Sequence, residues 1–100
     1  MSYIIVHARH GKWVVESVST DPETDTCAAL HGVQDARNSA SKAEAFSIAF
    51  GWEGGLPIFF ECHDGTVVVI EGRGESDSDL FECATHAVEL ERRLQDHVCA

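Results

Sequence analysis

The sequence predicts an α+β domain in the order ββαββα: two β-hairpins form a four-stranded antiparallel sheet, with two helices on one face. Three observations carry this. There are two pairs of β-branched and aromatic runs, each pair split by a glycine-containing turn. A capping box opens a short apolar helix between the pairs, and a long amphipathic stripe closes the chain.

In the first hairpin, Tyr3 to Ala8 and Trp13 to Val18 flank Arg9-His10-Gly11-Lys12, with a tight His-Gly turn. In the second, Leu56 to Cys62 and Thr66 to Glu71 flank His63-Asp64-Gly65. Asp-Gly there suits the positive φ angles of a type I′ turn. Between them, Ser41-Lys42-Ala43-Glu44 places a serine acceptor three residues before a glutamate, the pattern of a capping box. Ala45, Phe46, Ala49 and Phe50 follow at helical spacing and Gly51 suits the C′ position, so a helix is predicted over 42–50. After Ser76-Asp77-Ser78-Asp79, the stripe Leu80, Cys83, Ala84, Ala87, Leu90 and Leu94 predicts a second helix to about Gln95. The segment from Ser19 to Asn38 carries a turn signal at Asp21-Pro22-Glu23, and its run Cys27 to Gly32 suits a short helix or a strand equally.

With two-residue turns, one sheet face receives Ile4, Val6, Ala8, Trp13, Val15, Leu56, Ile58, Phe60, Cys62, Val67 and Val69, the natural seat for both helices. The other face receives Tyr3, Ile5, Val14, Val18, Phe59, Val68 and Ile70, interrupted by His7, Glu16, Glu61, His63 and Thr66. Two helices on one side would leave that second face bare. Contiguous apolar surface of this kind marks an interface. A homodimer or tight heteromer is therefore expected to bury Tyr3, Ile5, Val14, Phe59, Val68 and Ile70, unless the segment from Ser19 to Asn38 folds across them.

Length and composition place no obstacle before this fold. The 100 residues suffice for one domain spanning 1–100, and 44% hydrophobic with 24% charged residues is ordinary for a folded protein. The start has no basic n-region and its apolar run is too short for a signal peptide or a membrane span, so a cytoplasmic protein is expected. The scattered spacing of Cys27, Cys62, Cys83 and Cys99 points to thiols in a reducing compartment.

Charge is more informative. Seventeen acidic against seven basic residues give a net charge of −10, and residues 51–100 carry −8 of it. Direct nucleic-acid binding, which draws its affinity from Lys and Arg displacing counterions, is not expected. The better electrostatic partner is a protein with a basic surface, including a complex that itself handles nucleic acid. The run Glu71, Glu75, Asp77, Asp79 and Glu82 is the candidate docking surface. The same charges also solvate a loop, favour the N-terminus of the second helix and keep the protein soluble.

Catalytic and metal chemistry find less support. Cys83 and His86 share a helical face at i, i+3, and Cys62 and His63 would complete a tetrahedral site. Yet Cys83 and Cys62 fall on core positions, and neighbours in a strand point to opposite faces. No metal or cofactor is expected. No serine or cysteine sits on a glycine-rich strand-to-helix elbow, and Gly72-Arg73-Gly74-Glu75 lacks phosphate-loop spacing, so an enzyme is not expected either. A Cys-His enzyme and a metal-stabilised regulatory module are the alternatives.

The order Gly11-Lys12-Trp13-Val14-Val15, Ser41-Lys42-Ala43-Glu44-Ala45 and Asp64-Gly65 resembles small bacterial and phage domains of unknown function. Those share a W-x-V strand, a K-x-E-A helix start and a D-G hairpin. The resemblance covers residues 3–71, with a longer insertion at Ser19 to Asn38, and implies a ββαββ module without assigned chemistry. In size and acidity the chain is also similar to small phage-encoded inhibitors such as anti-CRISPR proteins, which occlude basic channels of their targets in the host cytoplasm. The expected function is thus that of a small acidic protein-binding module.

Overall fold

Strands β1 (Ser2–Arg9) and β2 (Lys12–Ser19) pair antiparallel from Ser2↔Ser19 to Arg9↔Lys12, closing on Gly11 at φ 77°. This is the first hairpin in its predicted register. The computed structural model describes residues 1–9, 11–20, 33–52 and 54–96, with main chain alone at 33–35 and 91–96. The run Cys27 to Gly32 lies outside the described residues.

The third strand corrects the predicted sheet. Strand β3 (Val33–Ser39) pairs antiparallel along the outer side of β2, from Trp13↔Ser39 inward. It joins the sheet as an edge strand and does not lie across its second face. Helix α1 (Lys42–Gly51) then begins at the predicted cap, where the Glu44 amide donates to Ser41 Oγ at 3.1 Å. Strand β4 (Ile58–Glu61) enters next to β1, in parallel, with Ile4↔Ile58, Ile5↔Phe59 and Val6↔Phe60. Strand β5 (Val67–Glu71) returns antiparallel to β4. Helix α2 (Asp77–Asp96) starts behind Ser76, whose Oγ accepts the Asp79 amide at 3.2 Å.

The result is a mixed five-stranded sheet in the order β3-β2-β1-β4-β5, where four antiparallel strands were expected. The unanticipated β3 explains both differences. It reverses the chain once more before α1, so β4 arrives running with β1 and not against it, through the crossover that a parallel pair requires.

The helices also lie on opposite faces, not together. Ala45 and Ala49 of α1 pack with Ile4, Val6, Val15 and Ile58. Cys83, Ala87 and Leu90 of α2 pack with Tyr3, Ile5, Val18 and Phe59. Because β1 and β4 are apolar on both faces, each face needs its own cover, and one helix on each side supplies it. Burying a side chain such as Ile58 or Phe59, both fully inaccessible, contributes about 1.5–3 kcal/mol.

The second hairpin differs by one residue. The Cys62 amide donates to the Thr66 carbonyl at 2.8 Å and the Gly65 amide to the Cys62 carbonyl at 3.0 Å, giving a three-residue loop in which only Gly65 has positive φ. The Asp64 carboxylate accepts from the Thr66 amide and hydroxyl, and these hydrogen bonds hold it below the usual carboxylate range. An odd loop shifts the pairing to Phe60↔Val68 and Phe59↔Val69, which exchanges the faces of β5 relative to the two-residue reading. Val68 therefore shares the α1 face with Phe60, whereas Val67 and Val69 join Glu61 and Phe59 on the α2 face.

Candidate protein-binding surface

The residues expected to bind a copy or a partner across the second face are divided by this arrangement. Tyr3, Ile5 and Phe59 are buried beneath α2, and Tyr3 meets Phe59 edge to face with ring centroids 5.5 Å apart. The chain's own helix thus does what a second copy was invoked to do. Val14 is half-buried. Val68 and Ile70 stay exposed, at 43% and 41%, together with Val69 at 44%. These three belong to β5, the end strand of the sheet.

The acidic candidates gather where β5 ends. Glu71 is its last residue, Glu75 lies in the following loop, Asp77 and Asp79 occupy the first turn of α2, and Glu82 the next. All are exposed except Asp79, which is half-buried. Arg73 is the one base between 71 and 82, and the turn that carries it points its side chain elsewhere. Arg73 and Gly74 both have positive φ, 55° and 78°, and the Glu75 amide donates to the Gly72 carbonyl. This is the type I′ geometry expected at Asp64-Gly65. It sends the guanidinium over Phe50 of α1, 6.0 Å from the ring centroid. Lys42 over Phe60 and Arg37 over Trp52 are likewise drawn to aromatic rings of the α1 face. Arg37, Lys42 and Arg73 thus lie toward the α1 face, while the acidic side chains gather at the β5–α2 corner.

The potential metal ligands do not converge. Cys83 Sγ donates to Met1 Sδ at 3.5 Å, while His86 Nδ1 lies 2.8 Å from the Tyr3 hydroxyl. Burial, followed by the charge of Glu82, pushes the Cys83 thiol up and away from the nucleophilic thiolate. Cys62 and His63 line an open depression of about 260 Å3, where the Asp64 carboxylate is already committed to Thr66. Among the described residues no three of His, Cys, Asp and Glu form a group able to hold a metal ion, and no helix is long and apolar enough to cross a membrane.

A buried polar group on the α2 face was not anticipated. His7 is 3% exposed; its Nε2 meets a Glu16 carboxylate oxygen, and its Nδ1 accepts from Arg9 Nε at 3.1 Å and lies 3.6 Å from Glu61. Burial raises the Glu16 carboxyl, but the His7 hydrogen bond and the charges of His7 and Arg9 outweigh it and hold the group below its ordinary value. Burial, helped by the charges of Cys83, Glu16 and Glu61, pushes the Tyr3 hydroxyl far up, so it keeps its proton beside His86 Nδ1. The space left beside His7, Glu16 and Glu61 is about 10 Å3, room for one water at most and not for a substrate. The signal was available in the hairpin register: His7 and Glu16 are diagonal neighbours on one face of β1 and β2.

No family model matches the chain, and neither a curated protein nor a solved structure matches it.

Proposed function

We propose that the protein is a small acidic protein-binding module that docks on a basic surface of a protein partner through Glu71, Glu75, Asp77, Asp79 and Glu82. The observation that supports this most directly is the pairing of that rim with the apolar side chains of Val68, Val69 and Ile70 on the same strand. A rim of charge beside an apolar strip is the usual anatomy of a protein interface, in which charge steers the encounter and apolar contact holds it. The partner this charge favours is one with an exposed Lys- and Arg-rich surface, and proteins that handle nucleic acid present such surfaces. Occluding that surface, as a phage-type inhibitor does, is the mode of action that fits a module of this size.

The test is capture from a native lysate with wild type, with Glu75, Asp77 and Asp79 changed together to lysine, and with Val68→Thr combined with Ile70→Thr. Basic proteins retained by wild type should be lost from the charge-reversal variant. Raising salt should slow association more than it speeds dissociation. The reversal should leave the circular dichroism spectrum similar, although lysine at Asp77 and Asp79, in the first turn of α2, should cost about 0.3–1 kcal/mol per charge against the helix dipole. Undiminished capture of the same proteins by the reversal variant would overturn the proposal.

A further inference from the structure

We infer that β5 receives its basic partner by strand addition, in which an extended Lys- or Arg-rich segment pairs its main chain with Val67 and Val69. The inference rests on the reading above and adds the shape of the partner and the mode of contact. The phase of the β4–β5 ladder supplies the geometry. The Cys62 amide bonds the Thr66 carbonyl, so the main-chain groups of Thr66 and Val68 point at β4. Antiparallel alternation then turns the N–H and C=O groups of Val67 and Val69 to the outer side, where no strand lies among the described residues. An irregularity at Ile58/Phe59 ends regular pairing beyond Val69, and the acidic rim begins two residues later at Glu71.

The two edges of the sheet are unlike. β3 carries Asp35, Arg37 and Asn38, the charged and polar residues with which edge strands avoid adventitious pairing. Val67-Val68-Val69-Ile70 carries no such guard. Val68 on one face and Val69 on the other leave apolar surface for alternate side chains of an added strand, the arrangement that gives β-augmentation its specificity. Charge selects the occupant. A second copy would bring its own −10 and a second rim, whereas a segment with lysine or arginine near Glu71 meets Glu71, Glu75 and Asp77 favourably.

The probe is a short synthetic peptide of alternating valine and lysine. It is compared with a copy N-methylated at every amide, which keeps the charge but removes the main-chain donors, and with a copy carrying glutamate for lysine. Wild type should bind the parent peptide and slow amide exchange at Val67 and Val69, while the methylated copy should bind about tenfold more weakly or worse. Val69→Pro removes an outward donor without breaking the β4 ladder and should weaken the parent peptide comparably. Equal binding of the methylated copy would overturn strand addition while leaving the acidic rim as the docking surface. Failure of wild type to bind the parent peptide would overturn strand addition alone, and equal binding of the glutamate copy would overturn both readings. A wild-type dimer that Val69→Pro dissolves would assign the edge to a second copy instead.

Discussion

At the scale of single residues, the α2 face places ionisable groups where an apolar layer would otherwise continue. His7 brings together Glu16, Arg9 and Glu61 within two side-chain lengths, beneath Ala87 and Leu90. Such a group stabilises only while each member keeps its partner, because an orphaned buried polar atom retains its full desolvation cost. Glu16 provides a measurable handle. Its carboxyl is held below the ordinary value of 4.5, so its stabilisation is fully present above that pH and is lost as pH falls through the lower folded value. Glu16→Gln should cost about 1–3 kcal/mol at neutral pH. The gap from wild type should narrow in acid, as urea midpoints across a pH series would show. A gap that stays constant down to strongly acidic pH would mean that the charge of Glu16 contributes nothing.

At the scale of elements, the second hairpin shows how one residue of loop length decides what a strand presents. Its three-residue loop places Gly65 at φ 86°, and a Cβ there would meet nothing within 4 Å, so the cost of a side chain is purely conformational. Gly65→Ala should destabilise by about 1–2 kcal/mol through left-handed strain alone, read from the denaturant midpoint with the slope unchanged. Cross-strand contacts between Phe60 and Val68 should persist in the variant. Their exchange for Phe60–Val69 contacts would indicate that the glycine, and not the Asp64–Thr66 hydrogen bonds, sets the register. The same loop determines that Val68 emerges beside α1 while Val69 emerges beside α2, which gives the free edge apolar surface on both faces.

At the scale of the whole molecule, a net charge of −10 on 100 residues acts on folding as well as on binding. Like charges repel in the compact state, and salt screens them with a Debye length of about 10 Å at 0.1 M. The thermal midpoint should therefore rise as sodium chloride increases from low ionic strength, while association with a basic partner weakens over the same range. The opposite movement of the two quantities separates self-repulsion from partner attraction. A midpoint that falls with salt would show that attraction between opposite charges outweighs the surface repulsion.

Features that depend on neighbouring residues are legible in the sequence itself: the first hairpin and its register, the Ser41 cap, the apolar stripe of α2, whose helix begins at Asp77 and not after Asp79, and the acidic run from Glu71 to Glu82. Each follows from a period or a hydrogen bond contained within a few residues. Strand β3 leaves no such trace, because an edge strand of Gln34, Asp35, Arg37 and Asn38 has no apolar alternation to display. That single strand reverses the polarity of everything after it, so the parallel β1–β4 pair is hidden as well. The acidic half of the candidate surface is thus visible in the composition, whereas its apolar half is not. Tyr3, Ile5 and Phe59 read as exposed unless α2 lies on their face, and Val68 and Ile70 group with them only if the second hairpin has a two-residue turn. Whether an apolar face is covered, and whether a strand has a free edge, depends on which distant elements pack beside it, and the tertiary structure alone brings those elements together.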